Sequence, residues 1–317
     1  MTTAAPPDLL PPRAIVHLGA HKTGSSLLQA LFAAEAGRLA EAGIAWLPHQ
    51  PFRASFSRRT ADWRQDPAAA KPAMRAALAA LLPPGRPSHA WLASDESLLG
   101  HLRTDLGNAP DRLYQHCGEV AAMLRCAAGP GGLTILLFIR RLDEFLCSAY
   151  LQRVRLGEPG DFGRYLAGLD PDRLSWVPTI RELAAPLTGE ADRLVVHDHA
   201  SLATAPGWVL QDLFGRLGAP APPAAVLVRR VNPSLSDGQY RAMLRLNRLW
   251  PADRLPALRA LAAGLIDRRA PTGGARPHLM EPGLAARLAA RHAGDLAAIG
   301  ALGGPVELAL PPASPQG

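Results

Sequence analysis

The segment 13–43 reads RAIVHLGAHKTGSSLLQALFAAEAGRLAEAG, and six of its residues could do chemistry: Gly19, Lys22, Thr23, Gly24, Ser25 and Ser26. They fall between a β-rich run, Ile15–Leu18, and a helical pattern whose buried face opens with Leu27, Leu28, Leu31 and Phe32. Glycines at both ends of the turn permit a tight backbone and a close approach by a ligand. The first amides of a helix have no intrahelical acceptor, and the helix dipole favours negative charge beside them. Such a strand, turn and helix suits a phosphate-sized anion, with Lys22 and the serine hydroxyls as further donors. The spacing is not that of a Walker A loop, whose lysine directly follows the second glycine. Here Lys22 precedes Gly24, which removes the main support for an ATPase. A plain strand-to-helix turn with a solvated lysine fits the same spacing.

A second anion grip is readable at 134–150, TILLFIRRLDEFLCSAY. An apolar run ends in Arg140 and Arg141, and a helical pattern follows with Ser148 eight residues after Arg140. That helix returns Ser148 towards the strand end, where arginine and serine can share a phosphate through charge-assisted hydrogen bonds. Taken singly, Arg140 also reads as a surface arginine and Ser148 as an ordinary helix serine.

Together the two segments resemble the sulfotransferase superfamily, especially bacterial members whose 5′-phosphosulfate loop reads H-K-T-G-T-T or similar. The resemblance implies a P-loop-like three-layer sandwich and a transferase using 3′-phosphoadenosine-5′-phosphosulfate, with 3′,5′-adenosine bisphosphate as product. It assigns Lys22 to the 5′-phosphate and the bridging oxygen, and Thr23, Gly24, Ser25 and Ser26 to the loop donors. Arg140 and Ser148 fall on the family's 3′-phosphate pair, with Tyr150 two residues further on. The chain departs from the family pattern at Leu27, where cytosolic members carry tryptophan, at Arg141-Leu142 in place of Asn-Pro, and at Phe145 in place of a second arginine. The segment RRVNPSLS at 229–236 looks like a loop that lends Arg229 or Arg230 to the nucleotide. Weaker likeness continues through YLQRVRLG. No metal is expected, because lysine and arginine meet the donor's charges.

Transfer of a sulfuryl group parallels phosphoryl transfer, so positioning and electrostatics carry most of the work. The acceptor, a small molecule or a glycan bearing a hydroxyl or amine, needs a base within hydrogen-bond reach. Glu96, beside Asp95 in WLASDESLL, lies just past the third β-rich run, where ligands gather in open α/β sheets. His49 lies after the second run, near the place of the base in heparan-type members, and His21 adjoins Lys22. Glu96 is the preferred base. Glu96 also suits a plain helix-start carboxylate, and His49 a plain loop histidine. His197 and His199 in VVHDHASL have no third metal ligand close in sequence. The stretch 49–71 is basic with interspersed aromatics, and reads either as an acceptor-binding loop or as a solvated connection.

These residues need elements to hold them. β-rich runs at Ile15–Leu18, Ile44–Leu47, Ala90–Ala93, Leu133–Ile139 and Leu194–Val196 alternate with helical patterns near 25–42, 72–82, 111–128, 142–156 and 206–217. LTILLFI has no polar alternation, as expected of a strand buried on both faces of a parallel sheet. The alternation predicts one α/β domain over 13–300 with right-handed crossovers. A helical C-terminal extension is expected over about 235–300, and flexible tails at 1–12 and 303–317.

Composition narrows the classes. Of 317 residues, 48% are hydrophobic and 19% charged, the balance of an ordinary globular protein. The longest apolar run, seven residues, is far short of the roughly 20 a membrane span needs, so no span is expected. MTTAAPPDLLPPR lacks the pattern of a signal peptide, which makes a cytoplasmic home the default expectation. Three cysteines without CxxC spacing argue against disulfides and zinc. The net charge of +7 calls for an anionic partner. Aromatics at 5% and the absence of a basic run argue against nucleic acid. Only Lys22 and Lys71 are lysines among the 34 basic residues, so Lys22 stands out in a chain biased to arginine. Other readings of the same sites are a P-loop-type small-molecule kinase or a non-catalytic nucleotide-binding module. Nothing in the pattern selects the acceptor or an oligomeric state.

Overall fold

The run LTILLFI forms a strand, Leu133–Ile139, with all seven residues buried. Successive side chains of a strand point to opposite faces, and here both faces are covered. Ile135, Leu137 and Ile139 enter one apolar cluster, whereas Leu136 and Phe138 enter another. The computed structural model describes residues 10–85, 87–100, 113–227, 235–250, 256–268 and 274–312. Its strands are β1 (Arg13–His17), β2 (Ile44–Trp46), β3 (Ala90–Ser94), β4 (Leu133–Ile139), β5 (Arg193–Asp198) and β6 (Val306–Ala309). They make one sheet in the order β2-β3-β1-β4-β5-β6, with every neighbouring pair parallel.

Helices cover both faces, giving the expected three layers. On one face lie α1 (Ser25–Ala34) and α6 (Pro206–Leu217), which pack Leu28, Phe32, Leu210 and Phe214 against Ile15, Phe138 and Val195. On the other lie α2 (His49–Ser55), α3 (Pro67–Leu81), α4 (Cys117–Ala127) and α5 (Leu142–Arg155), packed on Val16, Trp91, Ile135 and Val196. The C-terminal part holds α7 (Asp237–Leu249), α8 (Pro256–Arg268) and α9 (Pro282–Gly300). Asp192, fully buried, fixes the entry to β4 by accepting from the Leu133 amide at 2.9 Å and pairing with Arg125 at 2.7 Å.

Two expectations are corrected. The stretch 303–317 is not simply a tail: Val306–Ala309 pairs with β5 as the sixth strand, and α9 sends Leu288 and Ile299 into the main core. The stretch 49–71 is not a loop. It is largely helical, and Phe52 and Phe56 stack on each other at 5.0 Å inside the core beside Trp91. Burying those rings removes them from any acceptor surface.

The topology opens a crevice between β1 and β4. The chain leaves β1 by α1 on one face of the sheet, and leaves the adjacent β4 by α5 on the other. Ligands in open α/β sheets bind outside the carboxyl ends of the strands where the connections diverge in this way. The turn 18–24 opens there.

Candidate functional site

The turn is held from inside. Thr23, fully buried, donates its hydroxyl to the Ala20 carbonyl at 2.5 Å, and the Thr23 amide donates to the same oxygen at 3.3 Å. Its one hydroxyl proton is thereby used in shaping the loop. Ser25 lies over Gly19, where an added Cβ would come within 1.9 Å of Ser25 Oγ and 3.1 Å of Glu96 Cβ. Gly24 has φ 90° and starts α1 without a side-chain cap. Lys22, with φ 66°, is the non-glycine residue in the left-handed region among the described residues. A lysine held there costs on the order of 1–2 kcal/mol, and strain of this kind gathers at functional sites. Ser26 is exposed on the first turn of α1.

Cations converge on one side of this turn. Arg140, at the end of β4, donates Nη1 to the Lys22 carbonyl at 2.9 Å and grips Glu144 with Nε and Nη2 at 3.0 and 2.9 Å. Its own carbonyl accepts from the indole of buried Trp176 at 2.8 Å, which fixes the strand end. Among the described residues, Lys22 Nζ meets only an amide oxygen, Gln152 Oε1, at 3.4 Å. Burial pushes the Lys22 ammonium down to about 8, and Arg155 and Arg140 push it the same way. Relative to its ordinary 10.5, that is a cost on the order of 3 kcal/mol for keeping the charge. His199, after β5, lies next to Gly24. Burial first, then Arg140, lowers it to about 4, so it is neutral there.

The opposite side holds acids. Asp95, fully buried, accepts from Arg53 Nε and Nη2 at 3.0 and 2.5 Å and from the Ser97 amide at 2.9 Å. Glu96 accepts from Arg53 through Oε1 and from Gln29 Nε2 through Oε2, each at 2.7 Å. His49 Nε2 lies 3.7 Å from Asp95 Oδ1 and 3.7 Å from Glu96 Oε2. Burial alone would raise both carboxyls. The groups around Asp95, namely His49, Arg53, Ser57 and Ser97, overcome it and hold Asp95 well below the usual range. Arg53 and Gln29 help to do the same, less strongly, for Glu96. Among the described residues, His49, Asp95 and Glu96 form a group with metal-ligand spacing, all within 4.8 Å. Arg53 already supplies the positive charge that a cation would bring.

The predicted residues therefore gather, with differences in role. Lys22, Gly24, Ser25, Ser26 and Arg140 surround the opening of the turn, and Thr23 faces inward. Ser148 lies at four-residue spacing between Glu144 and Gln152, on the face of α5 that carries the partners of Arg140 and Lys22. Glu96 and His49, separate alternatives in sequence, adjoin each other. His21 is held by Tyr114, whose hydroxyl accepts from the His21 amide at 3.0 Å. Tyr150 is buried and donates to the Gly160 carbonyl at 2.9 Å. Phe145 packs edge-on against Trp176 at 5.2 Å, so it belongs to the core. Arg229 and Arg230 lie outside the described residues. His197 stacks on Phe138 and meets Asp212 at 2.8 Å, away from His199.

Sequence reasoning missed Gln152, Arg155, Arg53 and Gln29. The first two had a signal, because Ser148, Gln152 and Arg155 are spaced i, i+4, i+7 along one helix face. The chain matches no protein-family model, no curated protein and no solved structure.

Proposed function

We propose that this chain is a sulfotransferase with a P-loop-like sandwich, moving a sulfuryl group from 3′-phosphoadenosine-5′-phosphosulfate to a hydroxyl or amine. The observation that carries the reading is the excess of positive charge at the turn. Lys22 keeps its cation beside Arg140 and Arg155 with only an amide oxygen as partner among the described residues, next to a helix start without a side-chain cap. An anion there would relieve the repulsion and cap the helix at once.

The amides of Gly24, Ser25 and Ser26 and the Lys22 ammonium hold the 5′-phosphosulfate. Arg140 and Ser148 hold the 3′-phosphate. In the reaction the acceptor oxygen or nitrogen bonds to sulfur as the bond from sulfur to the phosphate oxygen breaks. Lys22 meets the charge that grows on that phosphate oxygen, and a base takes the acceptor proton. His49 is better suited to that task than Glu96, whose two oxygens are occupied by Arg53 and Gln29. One ring nitrogen of His49 rests against Asp95 and Glu96, leaving the other for the acceptor, as in carboxylate-oriented histidine bases. The kinase alternative needs carboxylates for magnesium, and Arg53 occupies both of those in this cluster.

A thermal-shift titration tests the reading. Ligand at about 100 times its dissociation constant adds roughly 2.7 kcal/mol of stability. Selective stabilisation by 3′,5′-adenosine bisphosphate is expected. Stabilisation by Mg–ATP alone, or by neither ligand, would sink the reading.

A further inference from the structure

The four most exposed large hydrophobic side chains among the described residues lie in one helical pair. They are Leu249 at the end of α7, 86% exposed, and Leu258, Leu261 and Leu265 on α8, at 51%, 67% and 56%. The α8 leucines are spaced i, i+3, i+7 and so form one stripe. The rest of the pair is anchored inward. Asn247 donates to the carbonyls of Val154 and Glu158 at 2.7 and 2.9 Å, and Gln239 donates to that of Asp267 at 2.9 Å. Buried Arg259 bonds Asn247 at 2.6 Å, tying α8 to α7. The leucines are thus the outward face of a pair that has already satisfied its inward one.

Charge beside this stripe identifies what covers it. The outward residues of α7 are Arg241, Arg245, Arg248 and Leu249, spaced i, i+4, i+7, i+8, within an arc of about 100°. The nearby acids, Asp237 and Asp267, are paired with Arg241 and Arg155 at 2.8 and 3.3 Å. Half-buried Trp250 follows Leu249. An arginine stripe next to exposed leucines, with an aromatic residue alongside, matches a surface whose outer layer is anionic and whose interior is apolar. A second copy of the chain packed face to face would set the same arginine stripe against itself.

We propose that the outward face of α7 and α8 binds an anionic lipid surface, the leucines entering the boundary of the acyl chains and the arginines meeting phosphate headgroups. No helix among the described residues is long and apolar enough to cross a membrane, so the attachment is peripheral. One end of α8 reaches the candidate site through Asp267 and Arg155, the guanidinium that presses on Lys22. The proposal does not rest on the sulfotransferase reading, and its test needs no catalysis.

The experiment is co-sedimentation of the full chain with vesicles of phosphatidylcholine alone, or mixed with phosphatidylglycerol, at low and high salt. Binding is expected to the mixed vesicles only, weakening as salt rises. The triple variant Leu258→Ser, Leu261→Ser, Leu265→Ser should lose about tenfold or more in affinity. So should Arg241→Gln, Arg245→Gln, Arg248→Gln. Unchanged thermal unfolding in the leucine variant confirms that its fold is intact. Absence of vesicle binding, or full binding by either variant, overturns the proposal. Concentration-dependent self-association abolished by the leucine changes, without vesicle binding, would assign the face to a second copy instead.

Discussion

The turn 18–24 is flanked by two charged regions built on opposite principles. On the acid side, Arg53 sits between Asp95 and Glu96, Gln29 takes the second oxygen of Glu96, and Arg53 and the Ser97 amide both meet Asp95 Oδ1, whereas Asp95 Oδ2 has no hydrogen-bond partner among the described residues. On the cation side, Arg140 meets Glu144 and Arg155 meets Asp267, and among the described residues Lys22 Nζ has an amide oxygen and no carboxylate as partner. A network whose charges are paired fixes geometry, because a buried charge with its counter-ion in place has little to gain by moving. An open one marks where charge is still wanted. The difference assigns positioning to the acid side and anion binding to the cation side.

Breaking the cation side at its centre should have the largest effect. Lys22→Ala is expected to lower sulfuryl transfer by several powers of ten, in line with lost charge stabilisation in a transition state, while the variant remains folded. Near-normal turnover in that variant would remove Lys22 from the chemistry. Breaking the acid side should instead cost stability. Arg53→Ala leaves fully buried Asp95 without its cation, a loss of about 3–5 kcal/mol, readable by urea unfolding. A loss below about 1 kcal/mol would mean that Arg53 does not compensate Asp95 in the way described.

The comparison sharpens at the base. His49→Ala should reduce turnover by about 10²–10⁴, and Glu96→Gln by less, because Glu96 acts by orienting the ring. The reverse ranking would return the base to Glu96. Arg140→Ala should weaken binding of the bisphosphate by about 10- to 100-fold, the worth of a charge-assisted contact. Unchanged affinity in a calorimetric titration would argue against its phosphate role.

A further effect concerns stability against pH. The Lys22 ammonium is held at about 8 in the folded chain against an ordinary 10.5. Between those values the unfolded chain binds more protons, so this group's contribution to stability improves as pH rises through the window. The penalty of about 3 kcal/mol is full below the folded value. Lys22→Met should therefore be more stable than wild type near pH 7, and its advantage should shrink towards pH 10. An advantage that does not change with pH would show that the ammonium carries no such penalty.

Much of this arrangement is legible in the chain. LTILLFI reads as a strand buried on both faces, and PGWVLQDLFGRL, Pro206–Leu217, as a helix. The turn was readable because Gly19 and Gly24 stand where backbone approach and positive φ demand them. The strand Val306–Ala309 was not readable. Its four residues lie between glycines and prolines and become a strand only by pairing with β5, more than a hundred residues earlier. The companionship of His49 and Glu96 was equally hidden. It depends on β2 and β3 lying side by side, so that the residues following each strand meet. Phe52 and Phe56 misled because interspersed aromatics look alike in sequence whether they face a substrate or a core.

The central claim is that an anion completes the cation side by restoring the Lys22 charge. Calorimetric titration of 3′,5′-adenosine bisphosphate near pH 8, in buffers of different ionisation enthalpy, measures the protons taken up on binding. With the Lys22 ammonium partly deprotonated before binding, uptake of a fraction of a proton is expected, and none in Lys22→Met. Binding without proton uptake, or the same uptake in the variant, would contradict the account.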